Sequence, residues 1–296
     1  MLYLIINSYD KNGKWLKGNL HAHTENSSCG NYSLEKVIEM YTSYKMKYDF
    51  LAITDHYHLT SLTEHINDGI VLFEGVEYKK DKLQFLGVNI KKYEDDKANL
   101  INHQELFDEI KKQKGISIIC HPHVFNDNYW PFEKLMELDN YIGIEIYNYN
   151  VRHDNKGRAV AVDLWDKLLS AGKKVYGFAN DDMHAFSRAG GAFNMVLAEK
   201  KDKETIIKAI KEGSFYASTG IYIEKIMLID KNLFISVNHL PVCFSLIGKN
   251  GEILKIEHGM DATFNLTGYT DYVRVELKRE DGAFAWTQPF FIRGEA

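Results

Sequence analysis

Between residues 18 and about 213 the sequence alternates short apolar runs with segments of helical period, and that rhythm limits the fold more than any other feature. The runs are "DFLAI", "IVLFEGV", "LQFLGVNI", "ISIIC", "YIGIEIY", "KVYGFA" and "FNMVLA". They are rich in β-branched and aromatic residues and seldom alternate with polar ones, as strands do when both faces are covered. Between them, "SLEKVIEMYTSYKM" sets Leu34, Val37, Ile38, Tyr41 and Tyr44 on one helical face behind Ser33 as N-cap. "NHQELFDEIKKQKG" spaces Asn102 and Glu105 as a capping box. "GRAVAVDLWDKLLSAG" and "KETIIKAIKEG" close on Gly172 and Gly213, the residue type a helix end favours. Strand then helix, repeated, predicts an α/β fold of βα units around a parallel sheet, closed or nearly closed into a TIM-like barrel.

After "GSFYASTG" the rhythm changes. "YIEKIMLI", "LFISV", "VCFSLIG", "ATFNLTG", "YVRVELK" and "PFFI" are short strands separated by turns, with no helical segment among them. The division expected is a barrel over residues 1–220 and a small all-β sandwich over 221–296. Ten of the twelve histidines precede the sandwich, so the chemistry is expected in the barrel.

Composition narrows the class. A chain of 296 residues with 45% hydrophobic and 26% charged residues has room for a large core. A formal charge of -5 argues against an extended nucleic-acid footprint, leaving small anionic substrates open. Cys29, Cys120 and Cys243 form no CxxC pair, which points to a reducing cytoplasm. "MLYLIINSYD" reads as an opening strand, and no stretch approaches a membrane span.

The residues just past each strand carry the chemistry. In order come "HAH" with His21 and His23, "TDHYH" with Asp55 and His56, "GVE" with Glu77, "HPH" with His121 and His123, "YNYNVRH" with Asn148 and His153, and "NDDMH" with Asp181, Asp182 and His184. In a (β/α) barrel these strand ends open on one face. One HxH is weak evidence, because two histidines on a strand can be purely structural, but three fall in this chain. Residues two apart on an extended strand point to one side, so His21 and His23 aim at one ion, and Asp182 pairs with His184 while Asp181 points away. This many imidazoles and carboxylates exceeds the needs of one tetrahedral ion and suggests two or three divalent ions, zinc, manganese or iron, with Glu77 bridging. Asp55 reads as holding an imidazole in place and helping to move protons. Arg188, His123 and His153 are the candidates for gripping substrate, while His65, His103, His239 and His258 read as surface residues.

"HAH", "TDH", "GVE", "CHP" and "DMH", in this order, resemble the motifs of the PHP family, named for polymerase and histidinol phosphatase. The resemblance covers residues 18 to about 220 and implies a distorted seven-stranded (β/α) barrel with metal-dependent phosphoesterase activity. It also implies His21, His23, His56, Glu77, His121, Asp182 and His184 as metal ligands. "FYASTG" and "YVRVELKREDGAFAWTQPFFI" are similar to stretches of two-domain members with a β-sandwich tail. One departure stands out: where the family's first motif usually runs to Asp-Gly, with the carboxylate on a further metal, this chain has Cys29 and Gly30.

The expected function is hydrolysis of a small phosphorylated substrate, a nucleotide or sugar phosphate, with hydroxide on a di- or trinuclear site as nucleophile. Two alternatives fit the same residues. One is a metallohydrolase of carboxylic ester, carbamate or amide bonds, and the other a non-catalytic binding module in which metal stabilises the fold.

Overall fold

A computed structural model describes residues 3–63, 69–93 and 100–294; His65 lies outside them. The strands of the first part are β1 (Tyr3–Ile6), β2 (Lys14–Asn19), β3 (Phe50–Ile53), β4 (Val71–Lys80), β5 (Leu83–Val88), β6 (Ile116–Ile119), β7 (Tyr141–Asn148), β8 (Tyr176–Asn180), β9 (Phe193–Ala198) and β10 (Phe215–Ser218). Those of the second are β11 (Ile223–Ile229), β12 (Asn232–Val237), β13 (Val242–Ile247), β14 (Ile253–Gly259), β15 (Asp261–Asn265), β16 (Asp271–Lys278), β17 (Phe284–Thr287) and β18 (Phe290–Gly294). The helices that frame them are α1 (Leu34–Thr42), α2 (His103–Lys112), α3 (Phe132–Glu137), α4 (Tyr149–Asp154), α5 (Val162–Ser170) and α6 (Lys203–Lys211).

The central sheet is mixed. β2–β3–β4 and β6–β7–β8 pair in parallel. β5 lies antiparallel to both β4 and β6, because "KKDKL" turns the chain back with Asp81 and Lys82 at positive φ, too short a link for a helical crossover. β9 and β10 are antiparallel additions beside β2. The all-parallel arrangement expected from the strand-helix rhythm therefore holds for two three-strand blocks. Buried Leu20, Phe50, Phe73, Leu86, Ile118 and Phe178 form one apolar cluster.

The hydrogen-bonded path also runs on from β10 through β17 into β16 and β18, and β1 joins β18. β13 and β14 branch from β16, while β11, β12 and β15 form a separate three-stranded sheet. Arg274 of β16 clamps Asp166 of α5 through two bonds of 2.8 and 2.6 Å, with both residues buried. At the other end of the path, β8 is tied to β9 by a side chain: Asn194 Oδ1 accepts from Ala179 N–H at 3.1 Å, and its Nδ2 donates to Ala179 O at 2.9 Å. Gln288 does the same for Gly177 at 2.9 and 2.8 Å. Two amide side chains thus satisfy backbone groups that a neighbouring strand would otherwise pair.

The helix readings mostly hold. Asn102 and Glu105 form the capping box of α2. Val37, Ile38 and Tyr41 are buried on α1, but that helix ends at Thr42, so Tyr44 falls outside it and is 85% exposed. His103, read as a surface residue, is buried with its ring against Phe85 and Trp130. No helix among the described residues is long and apolar enough to cross a membrane.

Candidate metal centre

The strand ends converge. A single parallel bridge between Ala22 and Met183, with His23 N–H donating to Met183 O at 2.9 Å, holds the segment after β2 beside the segment after β8. His56 bridges Glu77 in the same way. His21 Nε2 lies 3.2 Å from both Glu77 Oε2 and Asp182 Oδ1, and His23 Nε2 lies 3.3 Å from each. His56 Nδ1 is 3.2 Å from Glu77 Oε2, His121 Nε2 is 3.0 Å from Glu77 Oε1, and His184 Nδ1 is 3.4 Å from Asp182 Oδ1. The rings of His56 and His184 stack on His23 at centroid distances of 4.7 and 4.2 Å. His121 and Asp182 adopt φ values of 31° and 53°, left-handed backbone that re-aims both side chains.

Donor direction follows from the partners behind each ring. Buried Glu145 accepts from His21 Nδ1 at 2.8 Å, fixing the proton there and turning the Nε2 lone pair toward Glu77 and Asp182. The same carboxylate accepts from His121 N–H at 2.8 Å, Asn148 Nδ2 at 2.8 Å and Asn180 Nδ2 at 2.9 Å. Ser27 Oγ lies 3.2 Å from His23 Nδ1 and donates to Asp55 at 2.7 Å, so Asp55 sits one residue behind His23. Asp55 also accepts from Thr24 N–H, Thr24 Oγ1 and Thr60 Oγ1. Asp181 points away, as expected, and accepts from Gly190, Gly191 and Ala192 N–H and from the Tyr41 hydroxyl.

The electrostatics are those of a site that needs a cation. Burial disfavours charge on His21, yet Asp182, Glu145 and Glu77 outweigh it and hold the ring's pKa well above the usual histidine value. Burial would raise Glu77, but the charge on His21 and the hydrogen bond with His121 keep it well below the carboxylate range. Asp182 is lowered against burial by His21 and His184, and Asp55 by its hydroxyl and amide donors. His21 Nε2, His23 Nε2 and Asp182 Oδ1 are nevertheless buried atoms without a hydrogen-bond partner. Inward-facing orphaned nitrogens beside buried carboxylates fit a borderline divalent ion. Donor atoms within 4.8 Å of one another form three overlapping groups: His21, His23, Glu77 and Asp182; His23, His56 and His184; and Glu77, Cys120 and His121.

The cysteine near the site is not the one the motif spacing singled out. Cys29 is exposed and belongs to none of those groups, whereas buried Cys120 donates from Sγ to Glu77 Oε1 at 3.4 Å. Above the cluster lies a cavity of about 210 Å³, lined at its floor by His56, Glu77, His121, Asp182 and His184. Its walls include Gln84, Phe125, Asn150 and Lys156, residues the sequence did not bring forward. Arg188 and His153 both meet Asp154, at 2.7 and 3.2 Å, and His123 is buried 3.6 Å from Asp163; none of the three lines the cavity. Asn148 caps α4 and donates to Glu145.

No family model matches the chain, and no curated protein matches it. Solved structures do. A two-domain protein from Bacteroides vulgatus, described as containing a predicted PHP-like metal-dependent phosphoesterase, is similar with a TM-score of 0.51 and 15% identity, covering 94% of this chain and 95% of its own. Endonuclease Q in complex with a 27-mer duplex bearing an abasic lesion has a TM-score of 0.49 and 15% identity over 67% of this chain and 56% of its own. The exclusion of extended nucleic acids drawn from net charge is withdrawn, since whole-chain charge does not fix the field at one face. The buried His/Glu/Asp cluster points to a metal-dependent hydrolase. Over nearly its whole length, the chain has the fold of the PHP family.

Proposed function

We propose that this protein is a metal-dependent phosphoesterase acting on a small phosphorylated substrate, a nucleotide or sugar phosphate. The observation that carries the reading is the inward convergence of His21, His23, Glu77 and Asp182 with three of their donor atoms buried and unpartnered. These four would hold one ion, His56 and His184 would contribute to a second, and the other oxygen of Glu77 faces His121. Divalent ions bound there supply Lewis acidity for a phosphoryl oxygen and lower the pKa of water to about 7.

The chain's own residues do the rest. Glu145 and the Ser27–Asp55 pair keep the protons of His21 and His23 on the far side of each ring, so their basic nitrogens stay available. Asp55 acts as a positioning residue, its carboxylate committed to Thr24, Ser27 and Thr60. His56 and His184, offered to the second ion, are the site histidines with the most solvent access, 19% and 11% of their side chains. Residues 1–220 carry this chemistry and 221–296 support it, the buried Arg274–Asp166 clamp and the β10–β17 pairing tying them together.

The test is metal analysis of purified protein coupled to a panel of phosphate mono- and diesters, lesion-bearing duplex DNA, aryl esters and amides. Co-purifying zinc, manganese or iron, turnover of phosphoesters, and loss of both in a His21→Ala, His23→Ala double variant are expected. Turnover of aryl esters alone, or a metal-free protein active without added ions, sinks the reading.

A further inference from the structure

Segments 123–125 and 156–158 clasp each other at the mouth of the cavity. Val124 and Gly157 form an isolated antiparallel bridge, Phe125 N–H donates to Lys156 O at 2.7 Å, and Arg158 N–H donates to His123 O at 3.1 Å. Gly157 is required there: its φ is +138°, and a Cβ would lie 2.6 Å from His123 O and 2.7 Å from Phe125 N. Arg158 pins both segments, bonding Asp127 at 2.9 Å and Asp163 at 2.7 and 2.9 Å. The clasp therefore fixes the Phe125 and Lys156 backbones side by side, and both residues line the cavity.

Each residue stands in a condition that folding alone does not explain. Phe125 is 68% exposed and has a φ of 69°, so an apolar ring meets water from a left-handed backbone that bulky residues rarely adopt. Its contact with Tyr129, edge-on at 5.7 Å, leaves the ring mostly open. Lys156 is 62% exposed and shares Asp154 with Arg188, at 3.0 and 2.7 Å, so one carboxylate divides its charge between two cations. An exposed aromatic ring beside an exposed ammonium, in a cavity that also meets the His/Glu/Asp cluster, matches a ligand with a planar ring near an anionic group.

We propose that Phe125 and Lys156 form the specificity clamp of this site, Lys156 gripping a phosphoryl oxygen and Phe125 stacking on a planar ring close to the phosphate. This rests on the phosphoesterase reading and narrows its substrate class to phosphates carried near an aromatic ring.

Calorimetric titration of the zinc-loaded protein with phenylphosphonate and methylphosphonate tests it, since neither probe is a hydrolysable ester and they differ by the ring. Phenylphosphonate is expected to bind about tenfold tighter, ~1.4 kcal/mol, within the range of an aromatic contact. Phe125→Ala should abolish the preference without changing methylphosphonate affinity, and Phe125→Tyr should keep it. Lys156→Met should weaken both probes about tenfold, as loss of one charged hydrogen bond does. Both side chains are solvent-exposed, and melting curves check that the variants fold. Equal binding of the two probes, a preference that survives Phe125→Ala, an unresponsive Lys156→Met variant, or no binding of either probe overturns the clamp. Failure of the phosphoesterase reading looks different: probes bind and the variants respond, yet no phosphoester is hydrolysed.

Discussion

His21 Nδ1 lies 2.8 Å from Glu145 Oε1, and neither side chain meets solvent. One carboxylate thus sets the proton position of the first histidine of "HAH" while also taking Asn180, Asn148 and the His121 backbone. Glu145→Gln replaces an acceptor oxygen with an NH2 that faces donors. The expected result is a 10- to 100-fold loss of metal affinity, about the effect of removing such an outer partner. A stability cost of about 1–3 kcal/mol for the stranded buried donors should accompany it. Metal titration with a chromophoric chelator, alongside urea denaturation, checks both; unchanged metal affinity would show that Glu145 does not orient His21.

Metal removal should destabilise the fold measurably. With buried carboxylates and orphaned imidazole nitrogens gathered at Glu77 and Asp182, the chelated protein keeps unpartnered polar atoms that an ion would satisfy. An ion present at 100 times its dissociation constant stabilises by about 2.7 kcal/mol, on the order of 4 °C in Tm for a chain of this size. Melting with and without chelator, then after re-addition of zinc or manganese, reads the effect. A Tm indifferent to chelator and to re-added metal would count against a bound ion.

The histidine-bearing strand ends were legible because HxH on an extended strand has a geometric meaning that sequence preserves, and His21 and His23 do face the same carboxylates. Glu145 was not, since it stands inside the apolar run "YIGIEIY" and its partners come from other strands; a lone acid in a fully buried strand was the available signal. Cys29 drew attention by its place in a motif, and only three-dimensional packing sets Cys120 against Glu77. Phe125 and Lys156 sit in loops whose shape depends on the Gly157 clasp. For the fold, strand positions followed from β-branched runs, but β5's direction turned on a short link at Asp81–Lys82. The largely exposed β14 and the four-residue β17 carried too little pattern to be read.

The Arg274–Asp166 pair gives a stability prediction for the junction of α5 and β16. Arg274 is 2% and Asp166 4% exposed, the Tyr272 hydroxyl also reaches Asp166 at 3.0 Å, and the guanidinium lies 5.1 Å from the Trp165 ring. Removing one partner leaves the other charge buried and uncompensated, at a cost of about 3–5 kcal/mol. Arg274→Met and Asp166→Asn should each lose about this much in urea denaturation, and the double variant less than the sum of the two. Additive losses would show that the two side chains act independently.

Lys17 supplies a pH prediction of definite sign. Its Nζ donates to Met46 O at 3.2 Å and sits 4.3 and 4.5 Å from the Tyr48 and Phe193 rings. Burial lowers its pKa from 10.5 to about 8, with Asp181 and Asp49 opposing. Between about pH 8 and 10.5 the unfolded chain therefore holds this proton more tightly than the folded one, so Lys17's contribution to stability becomes more favourable as pH rises. Below that window the cost of the buried ammonium is constant. Lys17→Met has no proton to lose, so the stability difference, wild type minus variant, should move toward wild type between pH 8 and pH 10. Urea denaturation of both proteins at each pH measures it, and a difference that stays flat or moves toward the variant would place Lys17 in a well-solvated setting instead.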